Sequence, residues 1–273
     1  MPLLALVFAL AAAVLHAFWN LLLARARDVE CATAVALVVA VVAFAPVTAL
    51  TWRADSRVWP FVAVTSVLQL VYFALLATAY RRSELSVVYP LARGLAPVIV
   101  LVFGAAALSA TTSAAQVAGV VLVAVGVLVV RGLRRPSGSS GVGFGIAIAA
   151  TIASYTLLDK HGIRYANPIT YLELSMIPAT IGYAGTVLAV RGRSLLRAAV
   201  AQAPIAAGLA SFGAYALVLA ALERASAASV AAVRETSIVI ATALAAPLLK
   251  ERVGPMRLAG AVAVAMGVAL LAG

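Results

Sequence analysis

This sequence is short of almost everything that a water-soluble domain displays on its surface. Of its 273 residues only 11% are charged, with nine acids against twenty bases, and there are two histidines and one cysteine. Ordinary globular domains carry about 25% charged residues. A chain with less than half that share cannot cover a soluble fold of this length. The lone Cys31 excludes an internal disulfide, and His16 and His161 are too few and too far apart to form a metal-ligand set. Catalytic and nucleotide-binding spacings are missing as well: His-Glu-x-x-His, Gly-x-Ser-x-Gly and Gly-x-x-x-x-Gly-Lys-Ser/Thr do not occur. No metal or cofactor is implied. Without an ATP site, any work done by this protein would draw on an ion gradient or on solute exchange.

What is present is apolar: 65% of the residues are hydrophobic. They come in blocks and not at amphipathic spacing, which is the pattern of helices that are hydrophobic all round. A hydrocarbon core about 30 Å thick needs about 20 such residues per crossing. Ten blocks qualify, at approximately 3–24, 32–52, 59–79, 87–107, 114–131, 142–158, 168–189, 201–221, 228–248 and 256–272. The fold class is therefore an all-α integral membrane protein with ten transmembrane helices. The net charge of +11 could point to nucleic acid, but the bases are scattered in short loops and no basic run is interleaved with aromatics. Nucleic acid is excluded as a partner; the lipid bilayer is the expected one. Met1-Pro2-Leu3 provides no basic region ahead of the first apolar block, and Arg25 and Arg27 follow it, so the block is expected to be a retained helix.

The stretch 132–141, rich in glycine and serine, reads as a linker between a first unit, 1–131, and a second, 142–273. A shift of 141 residues lays Arg93 on Arg234, Ala118-Gly119 on Ala259-Gly260, and Gly126-Val127 on Gly267-Val268. A shift of 136 puts Ala17, Leu21 and Leu22 on Ala153, Leu157 and Leu158, with Trp19 on Tyr155. Five helices per repeat is an odd number, so the second copy enters the membrane inverted. Inverted repeats enclosing a midplane site are a transporter architecture.

Three stretches carry a resemblance to a known family. The run Leu15-His-Ala-Phe-Trp-Asn20, the segment Ala79-Tyr-Arg-Arg-Ser-Glu-Leu-Ser-Val-Val-Tyr-Pro-Leu-Ala-Arg-Gly94 and the turn Leu248-Leu-Lys-Glu-Arg-Val-Gly254 resemble the EamA-type drug/metabolite transporter superfamily. The turn Ser109-Ala-Thr-Thr-Ser113 departs from the pattern, lacking the acidic-basic pair of its counterpart. The resemblance implies a cell (inner or plasma) membrane transporter and not an enzyme, with both termini inside. The charge count points the other way. Odd-numbered loops hold 13 Lys and Arg and even-numbered loops hold 5, which puts the odd loops in the cytoplasm and both termini outside. We follow the charge count.

Ionisable groups inside a membrane default to function, because a charge at the bilayer centre costs about 2.5–3.5 kcal/mol on insertion scales. Arg93 and Arg234 each stand about seven residues into a helix, about 10 Å below opposite faces. Each either binds an anionic group in a central cavity, bidentately where that is a carboxylate, phosphate or phosphonate, or is structural and paired to an acid. For Arg93 no acid stands at its depth, Glu84 being nearer the loop. Glu173, six residues into the seventh span, shares a side and depth with Arg234, so a Glu173–Arg234 ion pair is expected. Glu235 points about 100° away from Arg234 around the helix, and is a proton site or a second structural pair. His16 and Asn20 share a helix face; they line the cavity, with His16 titrating near neutral pH, or they fix the first helix. Trp19 and Tyr155 are cavity walls or interface anchors, and Asp159 is expected at the interface. Tyr89 precedes Pro90, and with Pro97 this predicts a kinked fourth helix. Gln69, Tyr72, Tyr215 and Ser211 are further lining candidates. Gly119/Gly126, Gly260/Gly267 and the Gly141/Gly145 pair are read as helix-packing glycines.

These residues favour a secondary transporter of small metabolites working by alternating access. The leading expectation is export of amino acids or related anionic or zwitterionic solutes, as a monomer or weak dimer, coupled to a proton or an exchanged solute. The alternatives are a membrane-embedded enzyme acting on a lipid-borne substrate, which would cluster its catalytic residues at one interface, and an importer of organic anions such as phosphonates. A passive channel would show charged rings or a filter motif, and neither is evident.

Overall fold

The computed structural model describes residues 1–82, 85–108, 112–131, 139–249 and 254–273. Glu84, residues 109–111 of the fourth-to-fifth turn, 132–138 of the expected linker and 250–253 of the Leu248–Gly254 motif lie outside the described residues. The chain order is α1 (Leu3–Ala24), α2 (Val29–Leu50), α3 (Trp59–Arg82), α4 (Leu85–Leu108), α5 (Ala114–Arg131), α6 (Ser139–Gly162), α7 (Pro168–Ala198), α8 (Gln202–Leu222), α9 (Ala227–Arg234), α10 (Thr236–Leu249) and α11 (Pro255–Ala272). Eight of these are long and apolar enough to cross a membrane. The slightly shorter α5 makes another crossing, and α9 with α10 makes the last.

Local signals set the ends. Asp28 caps α2 by accepting from the Cys31 N–H at 3.0 Å, and Asn167 caps α7 by accepting from Thr170 N–H at 2.8 Å ahead of Pro168. The seventh helix continues past the expected residue 189, bending at Gly192, whose φ of 80° is a conformation only glycine takes without strain.

Packing follows the repeat. The α1–α8 contact has its counterpart in α6–α3, α4–α6 in α10–α1, and α2–α8 in α7–α3, while α2–α7 and α5–α11 map onto themselves. The chain thus folds as two inverted five-helix repeats. The glycine reading holds for α5 and α11: a Cβ added to Gly126 would lie 2.7 Å from the Gly260 carbonyl oxygen, and one on Gly267 2.8 Å from that of Gly119. Backbones in that contact leave no room for a methyl group. At the even-loop face, Asp55 N–H donates to Tyr165 O at 2.7 Å and Asn167 N–H to Arg53 O at 3.1 Å, tying the two repeats together. Arg57 stacks over the Tyr165 ring and, beside Asp55, holds that carboxyl down at about 2.

The fourth helix carries Pro90 and Pro97 inside an unbroken span. An interruption falls in the ninth crossing, at Glu235, between α9 and α10. In α4 the effect of proline is more local: Pro97 lacks an N–H, so the carbonyl of Arg93 has no helical donor.

Candidate functional site

The two expected arginines come together around Glu235. Arg93 on α4 is 5% exposed, Arg234 at the end of α9 is 3% exposed, and Glu235 in the helix break is 1% exposed. Arg93 Nε lies 2.9 Å from Glu235 Oε2, in ionic contact without the alignment of a hydrogen bond. Its Nη2 donates to His16 Nε2 at 2.8 Å and to Ser237 Oγ at 3.3 Å, and the guanidinium stands 5.9 Å from the Tyr89 ring centre. Arginine can only donate, so His16 accepts through Nε2 and is a neutral imidazole. The expectation that Arg93 lacks an acid is thus corrected. Depths counted along the backbone placed the two arginines about 10 Å apart, and two long side chains with a glutamate between them close that gap.

Arg234 is held far less. Its nearest carboxylate oxygen, Glu235 Oε1, is 3.9 Å from Nε, and its Nε and Nη2 have no hydrogen-bond partner among the described residues. The side chain reaches Tyr155, which is buried and stands between Tyr72 and Tyr215 with ring centres 6.3 and 6.1 Å away. Within this cluster two guanidinium groups, one carboxylate and a neutral imidazole sum to one positive charge, and Asp159 bears on Arg234 from beyond Tyr215.

Asp159 is fully buried and not at the interface, because α6 extends past the expected residue 158 to Gly162. Thr65 and Tyr171 donate to its Oδ1 at 3.1 and 2.9 Å, and Tyr215 donates to Oδ2. The ring of Tyr215 thus connects this hydroxyl cage to Tyr155 and the arginines.

Comparison with known families decides the class. A model of the EamA-like transporter family matches residues 3–132 and 139–273. The chain belongs to that family. It is therefore a multi-pass membrane transporter of the drug/metabolite superfamily. A solved structure described simply as a crystal structure of a protein covers 97% of this chain and 95% of its own, with a TM-score of 0.78 at 15% identity, a likeness of fold alone. No curated protein matches.

The remaining expected residues of this EamA-like chain divide. Trp19 packs edge-on against His16, with ring centres 4.9 Å apart, and its buried Nε1 has no partner among the described residues, so it belongs to the arginine cluster. Asn20 turns back and donates to the His16 carbonyl at 2.7 Å, within its own helix. Gln69 is buried on α3; Ser211 donates to the Gly208 carbonyl at 2.9 Å. The Glu173–Arg234 pair is not formed: Glu173 is 2% exposed, and neither carboxylate oxygen has a partner among the described residues. A cavity of about 320 Å³ opens on the even-loop side and is lined by Val100, Gly104, Gln116, Lys160, Arg164 and Ser226, with Ala227 and Ala228 two turns before Arg234. Thr65, Tyr171 and Ser237 were not singled out from sequence. Single hydroxyls in apolar helices give no periodic signal, and only their carboxylate and guanidinium partners mark them.

Proposed function

We propose that this transporter moves small organic solutes bearing one anionic group, amino acids or related zwitterions among them, by alternating access around Arg234, with export as the direction. The single observation that carries the reading is Arg234. It is a permanently charged group, buried at midplane, with two nitrogens unpartnered among the described residues. A guanidinium in that state is expensive to maintain unless a ligand completes it. A carboxylate, phosphate or phosphonate fits its fork bidentately. Glu235 is the close partner of Arg93, and Asp159 faces Arg234 only from behind Tyr215, so the open guanidinium suits a single anionic group, with Tyr72, Tyr155 and Tyr215 as an amphipathic wall. The even-loop cavity, with Lys160 and Arg164 at its rim, supports an approach for anions on that side.

The test is counterflow of radiolabelled amino acids, organic acids and phosphonates in liposomes containing the purified protein. The reading expects an anionic or zwitterionic solute to exchange, and Arg234→Ala to abolish that exchange while the protein stays folded. Equal exchange by wild type and Arg234→Ala would refute it.

A further inference from the structure

Every buried side-chain nitrogen or oxygen without a hydrogen-bond partner among the described residues falls in one of two places. Trp19 Nε1 and the unsatisfied atoms of Arg93, Arg234 and Glu235 belong to the arginine cluster. The others are the Oγ1 atoms of Thr48, Thr170 and Thr180 and both oxygens of Glu173, all on α2 and α7. These hydroxyls depart from the habit of the rest of the molecule: Ser66, Thr78, Thr151, Thr156, Ser175 and Thr186 each donate to the carbonyl four residues back. The register of the seam is set where Asn167 donates to the Thr51 carbonyl. One turn inward along each antiparallel helix are Thr48 and Thr170, and Glu173 follows Thr170 on the same face of α7.

Among the described residues three carboxylates are buried, in very different surroundings. Asp159 receives three hydroxyls and Glu235 faces Arg93, whereas Glu173 has neither donor nor cation among the described residues. Among the described residues, the helices packed on α7 do not supply one. On α2, Glu30 and Cys31 stand at the far end, and Glu30 holds Arg191 at 2.9 Å. Below α3, Arg57 is taken by Asp55; further along it come Tyr72, in the aromatic wall, and then Arg82 at the odd-loop end. On α8, Tyr215 is bound to Asp159, and the Glu223 and Arg224 beyond it pair with each other. Within α7, Tyr171 is bound to Asp159, Tyr183 packs on Phe73, and Arg193 and Arg197 lie at the odd-loop end with Arg191. Among the described residues no charged side chain bears on Glu173.

An ionised carboxylate without donor or counter-charge is not tolerated in a low-dielectric interior, whereas the neutral acid is. We propose that Glu173 is the proton-binding site of the transport cycle. It is protonated in this conformation, exchanges its proton with the even-loop side past Thr170 and Thr48, and ionises when movement of α7 admits water. The coupling role rests on the transporter reading above; the protonation does not.

Dicyclohexylcarbodiimide tests the protonation directly, because it adds the O–H of a buried carboxylic acid across a C=N bond and leaves carboxylates alone. Peptide mapping of the labelled wild-type protein needs neither a variant nor a substrate. The expected result is Glu173 modified at least about tenfold more than Asp159 or Glu235, with labelling that falls as pH is raised. Equal labelling of the three, or none at Glu173, overturns the proposal. So does protection of Glu173 by sodium at constant pH, which would mark an alkali-cation site. With an exchanged solute in hand, Glu173→Gln is expected to keep counterflow and lose acceleration by an imposed pH gradient; an undiminished pH response contradicts the coupling. Failure of the labelling leaves the Arg234 reading standing, and failure of Arg234→Ala to alter exchange leaves the labelling result standing.

Discussion

The two repeats place an arginine at the same position and treat it differently. In the first, Arg93 is followed by Gly94 in an unbroken α4. In the second, Arg234 is followed by Glu235, and the helix breaks there. The glutamate does not serve its own neighbour. It crosses the repeat interface to Arg93, at 2.9 Å, and leaves Arg234 at 3.9 Å. The two repeats thus supply two equivalent cations, and the second alone supplies the anion beside them. Symmetry builds the framework, and its breaking at residue 94 against 235 leaves two nitrogens of one guanidinium without a hydrogen-bond partner among the described residues.

The sharpest way to break this comparison is to remove the shared carboxylate. Glu235→Ala leaves two buried guanidinium groups uncompensated and is expected to cost about 3–5 kcal/mol of stability, seen as a large fall in unfolding temperature in detergent. Next comes Arg234→Ala, which on the proposed function removes a charged contact worth about 2–5 kcal/mol; it should reduce exchange at least about thirtyfold and leave the unfolding temperature near that of wild type. Gly94→Glu restores the missing acid in the first repeat and neutralises the site, so it is expected to abolish anion exchange. Gly94→Ala is its steric control, since a Cβ there would meet Leu128 at 3.2 Å. Gly126→Ala strikes the symmetric seam itself, where a backbone oxygen blocks the added methyl, and should cost about 1–3 kcal/mol. The smallest effect belongs to Tyr215→Phe, which removes one donor from Asp159: about 1–1.5 kcal/mol by thermal unfolding.

Much of this was legible in the sequence because the bilayer imposes length and composition on every crossing. The apolar blocks located the ten crossings, and the Arg93/Arg234 and Gly119/Gly260 coincidences revealed the repeat. What the sequence concealed depends on side-chain reach and on exact helix ends. Counting residues along α4 and α9 separated the arginines by depth, and nothing in the count shows that Glu235 bridges them. Four extra residues on α6 carried Asp159 from an expected interface into full burial. Glu173 looked like a natural partner for Arg234 by depth alone, but the α2–α7 seam holds it apart from that cluster. Prolines predicted a kink in α4 but gave no sign of the break in the ninth crossing, which has none at the corresponding positions, 231 and 238.

The most direct test of the central claim is a paired measurement on Arg93→Ala and Arg234→Ala: unfolding temperature and counterflow of the same solute, on the same preparations. The asymmetric site predicts that Arg93→Ala is chiefly a stability defect, since it orphans Glu235, whereas Arg234→Ala keeps its stability and loses exchange. If Arg234→Ala exchanges solute like wild type, or if both variants lose stability equally, the free guanidinium is a structural group and the account fails.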